Sequence, residues 1–259
     1  MLSVIIIAKN EEKKLPDCLR SVKWADLPAQ AGEIIVIDTG STDKTPSIAK
    51  KAGARVVKFT KGTFSDWRNK GLREAKGEWI LYIDSDERVS KKLKKEILSI
   101  INDRSSTINS AYVIPRRNII FGKEFKHGGQ YPDYVKRLFL RSKLKIWEGD
   151  LHEEPVFEGE LGYLINSLIH IKHDNLHDMI EKTNRWSETE ANLMFDANHP
   201  KMNVIRFCTA IFREFSLRFI KQKAFLDGYE GVIYGIYQVY SRFISYAKLW
   251  EIQLKNNKI

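Results

Sequence analysis

The sequence predicts an α/β protein in which a mostly parallel, Rossmann-like sheet is flanked by helices and followed by a helical C-terminal extension. Three observations carry that expectation. Short apolar runs alternate with amphipathic helical patterns through the first hundred residues, the rhythm of a crossover-connected parallel sheet. Those runs are continuously apolar rather than alternating, as strands covered on both faces are. From about His173 onward the pattern is helical and increasingly basic.

Taken in order, Leu2–Ala8 is the first strand and Glu12–Val22 the helix after it. Glu33–Ile37 and Lys44–Ala52 repeat the pair, then Ala54–Phe59 and Phe64–Glu74. Trp79–Ile83 is the fourth strand and Lys91–Ile101 an exposed amphipathic helix. Beyond it the rhythm changes. Ala111–Pro115, Asn118–Phe121, Tyr134–Leu140 and Lys143–Trp147 are shorter strands joined by turns at Gly122 and Gly128-Gly129. Leu164–Ile169 is a further strand-like run that ends at His170. The tail divides into helices over 175–195, 203–223 and 224–255. The expected division is a catalytic domain over 1–172 and a basic amphipathic region over 173–259.

Composition narrows the classes. With 43% hydrophobic and 29% charged residues in 259, the chain is too apolar for a disordered protein and too interrupted by charge for an integral membrane protein. Its net charge of +10 calls for an acidic partner. The last 59 residues hold ten Lys/Arg against four Asp/Glu and so carry +6 of that charge. Cys18 and Cys208 match no metal or redox spacing, and both sit in apolar helical patterns, so buried free thiols in a reducing compartment are expected. Leu2–Ala8 is too short for a signal-peptide core, and no stretch approaches the roughly 20 apolar residues of a membrane span. A cytoplasmic location follows.

In a parallel sheet, ligands bind beyond the carboxyl ends of the strands. Here those ends are polar and acidic. Strand one ends in Ala8-Lys9-Asn10-Glu11, strand two in Asp38-Thr39-Gly40-Ser41-Thr42-Asp43, and strand four in Asp84-Ser85-Asp86-Glu87. No G-x-G-x-x-G follows the first strand and no P-loop occurs, which removes nicotinamide and flavin cofactors and P-loop nucleotidases. Asp84-x-Asp86 can share a hard divalent cation, and the bland alternative is a solvated acidic turn before the next helix. Asp38 can accept from a pyrimidine N–H, while Asp43 also suits the N-cap of the following helix. Arg68, opening Arg68-Asn69-x-Gly71 on the third helix, can reach a base or phosphate.

Ser3-Val-Ile-Ile-Ile-Ala-Lys-Asn-Glu11, Ile37-Asp-Thr-Gly-Ser-Thr-Asp43, Arg68-Asn-Lys-Gly71 and Ile83-Asp-Ser-Asp86 together resemble the family 2 glycosyltransferases of GT-A fold. The resemblance implies a nucleotide-sugar donor such as a UDP-sugar, an inverting displacement, and Mg²⁺ or Mn²⁺ at the D-x-D. It places Ala8, Asn10, Glu11, Asp38 and Arg68 against the nucleoside, and Asp84 and Ser85 against the ribose or the metal. Asp86 would face the metal, and His170 would complete its shell or touch the diphosphate. Lys182 and Arg185 would stand nearby. His127-Gly-Gly-Gln-Tyr-Pro-Asp133, Arg137-Leu-Phe139 and Trp147-Glu-Gly-Asp-Leu-His-Glu153 are similar to the subgroup of lipopolysaccharide-core β-1,4-glucosyltransferases of the WaaE/KdtX type.

An inverting transfer needs a carboxylate that takes the acceptor's proton. Among Glu148, Asp150, His152, Glu153 and Glu154, the foremost candidate is Glu153, with Asp150 and His152 beside it. The acceptor would be a glycan or glycolipid, with a peptide or a capsule or exopolysaccharide precursor as the alternative. A nucleic-acid module would also explain the charge, but no RNA- or DNA-binding motif is present. In the tail, aromatic and apolar residues are interleaved with Arg206, Arg213, Arg218, Lys221 and Lys223. That pattern fits a helix at the inner face of the cytoplasmic membrane, and equally one packed in a homo-oligomer.

Overall fold

A computed structural model describes residues 1–26, 32–103, 109–149 and 153–256. The chain divides into two compact units. One comprises Met1–Arg117 with Asp133–His170, the other Asn118–Pro132 with Ile171–Ile259. The sequence places a single boundary near residue 172; the backbone instead groups 118–132 with the C-terminal helices.

In the first unit, β1 (Leu2–Ala8), α1 (Leu15–Val22), β2 (Glu33–Asp38), α2 (Thr45–Lys51), β3 (Arg55–Lys58), α3 (Phe64–Glu74) and β4 (Trp79–Asp84) reproduce the expected alternation. β5 (Glu87–Val89), α4 (Lys91–Asn102), β6 (Asn109–Ile120), β7 (Lys123–Glu124, in the segment grouped with the second unit), β8 (Asp133–Leu140), β9 (Leu144–Glu148), β10 (Glu154–Phe157), β11 (Glu160–Tyr163) and β12 (Leu168–His173) follow along the chain. The sheet runs β3-β2-β1-β4-β8-β6-β12-β5, with β7 and β11 both paired to β6, while β9 and β10 form a separate ribbon. β1, β2, β3 and β4 are parallel. β8 joins antiparallel to both β4 and β6.

The reason for the parallel half is visible in β1. Leu2, Val4, Ile6 and Ala8 enter one apolar cluster, and Ile5 enters the other across the sheet. Period-two alternation thus buries both faces. α1 covers one of them through Leu15, Cys18, Leu19 and Val22, spaced as one helical face. It starts three residues later than its apolar pattern suggests; ahead of it the Glu11 and Glu12 N–H groups donate to Thr45 Oγ1 and Asp43 Oδ2. Asp43 is not the expected N-cap: α2 starts one residue later, Lys44 takes the cap position without a side-chain bond, and Asp43 before it accepts from Thr45 N at 2.9 Å.

α3 covers the other face. A capping box between Thr63 and Asp66 starts it. Gly71 is where it touches the sheet most closely, for a Cβ there would lie 2.5 Å from Ile5 Cγ2. Ile5 is fully buried. Gly71→Ala is therefore expected to lose about 1–3 kcal/mol of stability by overpacking, read from urea unfolding midpoints; an unchanged midpoint would refute the close approach.

Two elements differ from the sequence reading. β6 is one continuous strand where two were expected, since Pro115, which has no N–H to give, still pairs opposite Tyr134 without ending the ladder. Leu164–Ile169 is not one strand. The Ile165 and Asn166 N–H groups donate to the Glu96 carboxylate and turn the chain, so β12 starts at Leu168 and His170 falls mid-strand.

The second unit contains α5 (Leu176–Asp196), α6 (Val204–Phe215) and α7 (Gly228–Asn256), with a π-helical turn over Ser216–Lys221. Asn175 and Asn203 cap α5 and α6 by accepting from Asp178 N and Arg206 N. Ala191, Met202, Ala210, Tyr246 and Leu249 form one core there, and Ile120, Phe125, Met179 and Tyr234 another. Cys18 is buried as expected, but Cys208 is exposed, because α6 packs through a different face from the one its apolar residues suggest. No helix among the described residues is long and apolar enough to cross a membrane.

Candidate active site

The carboxyl ends of β1, β2 and β4 lie side by side, because Ala8 pairs with Asp38 and Ile7 with Asp84. Their loops are tied together by side chains. Asn10 takes a positive φ of 56°, which asparagine tolerates, and its Oδ1 accepts from Thr42 N at 2.8 Å. Asp38 is buried and accepts from Ser41 N at 3.0 Å. Ala8 and Ser85 are buried, and Ala8 O accepts from Thr39 N.

Around Asp84 the structure builds a buried charge network. Arg68, 2% exposed, donates from Nη2 to Asp84 Oδ1 at 3.2 Å. Arg137, 4% exposed, donates from its Nη2 to Asp84 Oδ2 and to Glu87 Oε1. Glu87, fully buried, also accepts from Arg116 Nη1 and from the Asp84 N–H. Arg116 in turn holds Asp133 through two bonds. Burial alone would raise the Asp84 carboxyl pKa; Arg137, then Arg68 and Arg116, outweigh it and hold the group well below the usual carboxylate range.

Arg68 connects this network to the proposed base. Its Nε and Nη2 donate to Glu153 Oε1 at 3.1 and 2.9 Å, and its Cζ lies 4.8 Å from the Trp147 ring centroid. Its Nη1 is buried with no hydrogen-bond partner among the described residues. A spare buried donor is costly unless a ligand uses it. Arg68, Asp84, Arg116, Arg137, Trp147 and Glu153 line a cleft of about 320 Å³.

Asn69 holds the end of β9 at this place. Its side-chain amide donates to Trp147 O and accepts from Trp147 N, both at 2.8 Å, which clamps β9 onto α3. Ser65 Oγ donates to Gly149 O just after β9. Glu153 directly precedes β10. Asp150 and His152 lie outside the described residues.

The metal candidates divide. β12 pairs antiparallel with β5, setting His170 opposite Glu87, and His170 Nε2 lies 3.5 Å from Asp86 Oδ2. Burial would raise the Asp86 carboxyl, but His170 outweighs it and the pKa is lowered. Asp84 does not complete a third ligand, since both of its oxygens take arginine donors, and no cluster of three metal-binding side chains forms among the described residues. The pair that fits a divalent cation is therefore Asp86 with His170, one hard oxygen donor and one imidazole. Lys182 and Arg185 are on α5 in the second unit, Lys182 half-buried and Arg185 exposed.

Arg116, Arg137, Glu87 and Asn69 have functional positions that motif reading did not assign. A signal existed for Arg137, a charge inside the apolar run Tyr134–Leu140, and for Glu87, a third acid immediately after the D-x-D.

A parallel half-sheet with acidic strand ends beside an arginine-lined cleft is the arrangement of the GT-A class of sugar-transferring enzymes. Residues 3–149 match the family described as Glycosyl transferase family 2, and the chain belongs to that family. It is a glycosyltransferase. An uncharacterized glycosyltransferase of Rickettsia bellii (strain RML369-C) is 28% identical over 269 residues, covering 99% of this chain and 88% of the relative. The glycosyltransferase SunS of Bacillus subtilis (strain 168) is 35% identical over 154 residues, covering 58% of this chain and 34% of that protein. Among solved structures, S. aureus TarS 1–349 in complex with UDP-GlcNAc aligns at 16% identity and a TM-score of 0.49, covering 99% of this chain and 91% of that one. Glucosyl-3-phosphoglycerate synthase from Mycobacterium tuberculosis, in complex with Mn²⁺, UDP and glucosyl-3-phosphoglycerate, aligns at 18% identity and 0.49, covering 78% and 81%.

Proposed function

We propose that the protein is an inverting hexosyltransferase that takes its sugar from a nucleoside-diphosphate sugar, UDP-glucose foremost, and delivers it to a hydroxyl of a glycan or glycolipid. The observation that supports this most is the Arg68 junction, where one buried guanidinium beside the cleft holds both Asp84 and Glu153. Ala8, Asn10, Glu11, Asp38 and Arg68 would surround the nucleoside, and Asp84, aligned by its two arginines, would accept from ribose hydroxyls. Asp86 and His170 would hold Mg²⁺ or Mn²⁺, which neutralises the leaving diphosphate.

In the transfer itself, Glu153 takes the proton of the acceptor hydroxyl. The oxygen bonds to the anomeric carbon as the carbon–oxygen bond to the diphosphate breaks on the opposite face, inverting the centre. Arg68 fixes where Glu153 stands relative to the donor site, and a base placed in line is what makes the step fast. The acceptor to test first is a lipopolysaccharide inner-core glycolipid. A panel of nucleotide sugars with that acceptor, read as released nucleoside diphosphate and by product mass, is expected to give a one-hexose addition. No addition from any nucleotide sugar onto any glycan, glycolipid or peptide would overturn the reading.

A further inference from the structure

The second unit presents an apolar arc to solvent that its fold does not use. At 3.6 residues per turn, Val204, Phe215, Cys208, Phe212 and Ile205 occupy one arc of about 100° on α6. All five are exposed, Ile205 at 79% and Phe212 at 67%. The side that packs carries Phe207, Ala210 and Glu214, with Phe207 against Phe243 and Trp250 of α7. An amphipathic helix that buried its apolar face against its own domain would show the reverse.

The arc has a charged margin. Thr209, Arg213 and Arg206 follow it around the helix and are exposed, and Lys221 and Lys223 stand exposed just beyond. None of these four cations is in an ion pair among the described residues, whereas Arg218 between them is neutralised by Glu214. Ile220 in the π-helical turn is also exposed, at 68%. Exposed apolar patches with a one-sign rim mark interaction sites, and this rim selects an anionic partner with an apolar interior.

We propose that the α6 arc is a docking face for an anionic phospholipid bilayer, with Ile205, Phe212 and Phe215 entering the acyl boundary and Arg206, Arg213, Lys221 and Lys223 meeting headgroup phosphates. The docking face is independent of the cleft, so it stands or falls apart from the transfer reaction. Docking of this kind concentrates the enzyme where a lipid-linked acceptor resides.

The test is co-sedimentation of the full chain with phosphatidylcholine vesicles, with and without about 30% phosphatidylglycerol. Binding is expected on the anionic vesicles, weakening as salt rises. The double variant Ile205→Ser/Phe212→Ser is expected to lower the partition coefficient at least ~10-fold, and Arg213→Glu/Lys223→Glu by a similar factor. These side chains are exposed, and a thermal melt checks that each variant folds. Because Cys18 is buried, an environment-sensitive dye goes to Cys208 within the arc and should shift to the blue on anionic vesicles. Equal or absent binding to both vesicle types overturns the proposal. So does unchanged vesicle binding in the Ile205→Ser/Phe212→Ser variant.

Discussion

Glu153→Gln is expected to lower kcat by about 10²–10⁴-fold while leaving the donor's affinity near that of the native enzyme. The substitution keeps the side chain's shape and a carbonyl oxygen that can still accept from Arg68 Nε and Nη2, as Glu153 Oε1 does at 3.1 and 2.9 Å. It removes the basic oxygen and the negative charge that faces Arg68. The loss should therefore fall on the chemical step and equally on kcat and kcat/KM for the acceptor, the mark of an interaction made in the transition state. Asp150→Asn should leave kcat close to native. If Glu153→Gln turns over at the native rate and Asp150→Asn does not, the base is Asp150.

Arg137→Met is expected to cost about 3–5 kcal/mol of folding stability, measured by urea unfolding with the slope checked for two-state behaviour. Methionine fills a similar volume, so packing loss is small and the electrostatic loss dominates. Without the guanidinium, Glu87 is left fully buried with Arg116 as its remaining cation, and Asp84 with Arg68. An exposed pair such as Lys255–Glu251 contributes far less by comparison, because solvent screens it. Donor affinity should fall as well, because Asp84 loses one of the two arginines that align it. A stability loss below about 1 kcal/mol would mean that the network is better solvated than its burial indicates.

Much of the first unit was legible because its signals are local. β1, β2 and β4 are apolar runs, and the Asp43 carboxylate accepts from Thr45 N two residues on. The strand-end motifs at Asp38 and Asp84 and the helix motif at Arg68 were legible for the same reason. What stayed hidden was long-range. Arg137 meets Glu87 across 50 positions, and Asn69 clamps Trp147 across 78, so no window of sequence contains either pair. The separate fates of Asp84 and Asp86 depend on which way each carboxylate turns from one short turn, and spacing alone treats them as equivalent. Cys208 was misplaced because an apolar stripe signals burial without saying against what; in α6 the stripe faces out. The charge bias of the tail was visible from the start, but its pairing was not: Arg218 is spent on Glu214, while Arg213 and Lys223 are not.

The measurement closest to the central claim is calorimetric titration of UDP into the native enzyme and Asp86→Ala, each with Mn²⁺ and again with chelator. The account predicts binding by the native enzyme that tightens at least ~10-fold with Mn²⁺, and a variant that binds UDP weakly and indifferently to the metal. Failure of UDP to bind at all, or equal metal-dependent binding by Asp86→Ala, would contradict the assignment of the cleft as a metal-assisted nucleotide-sugar site.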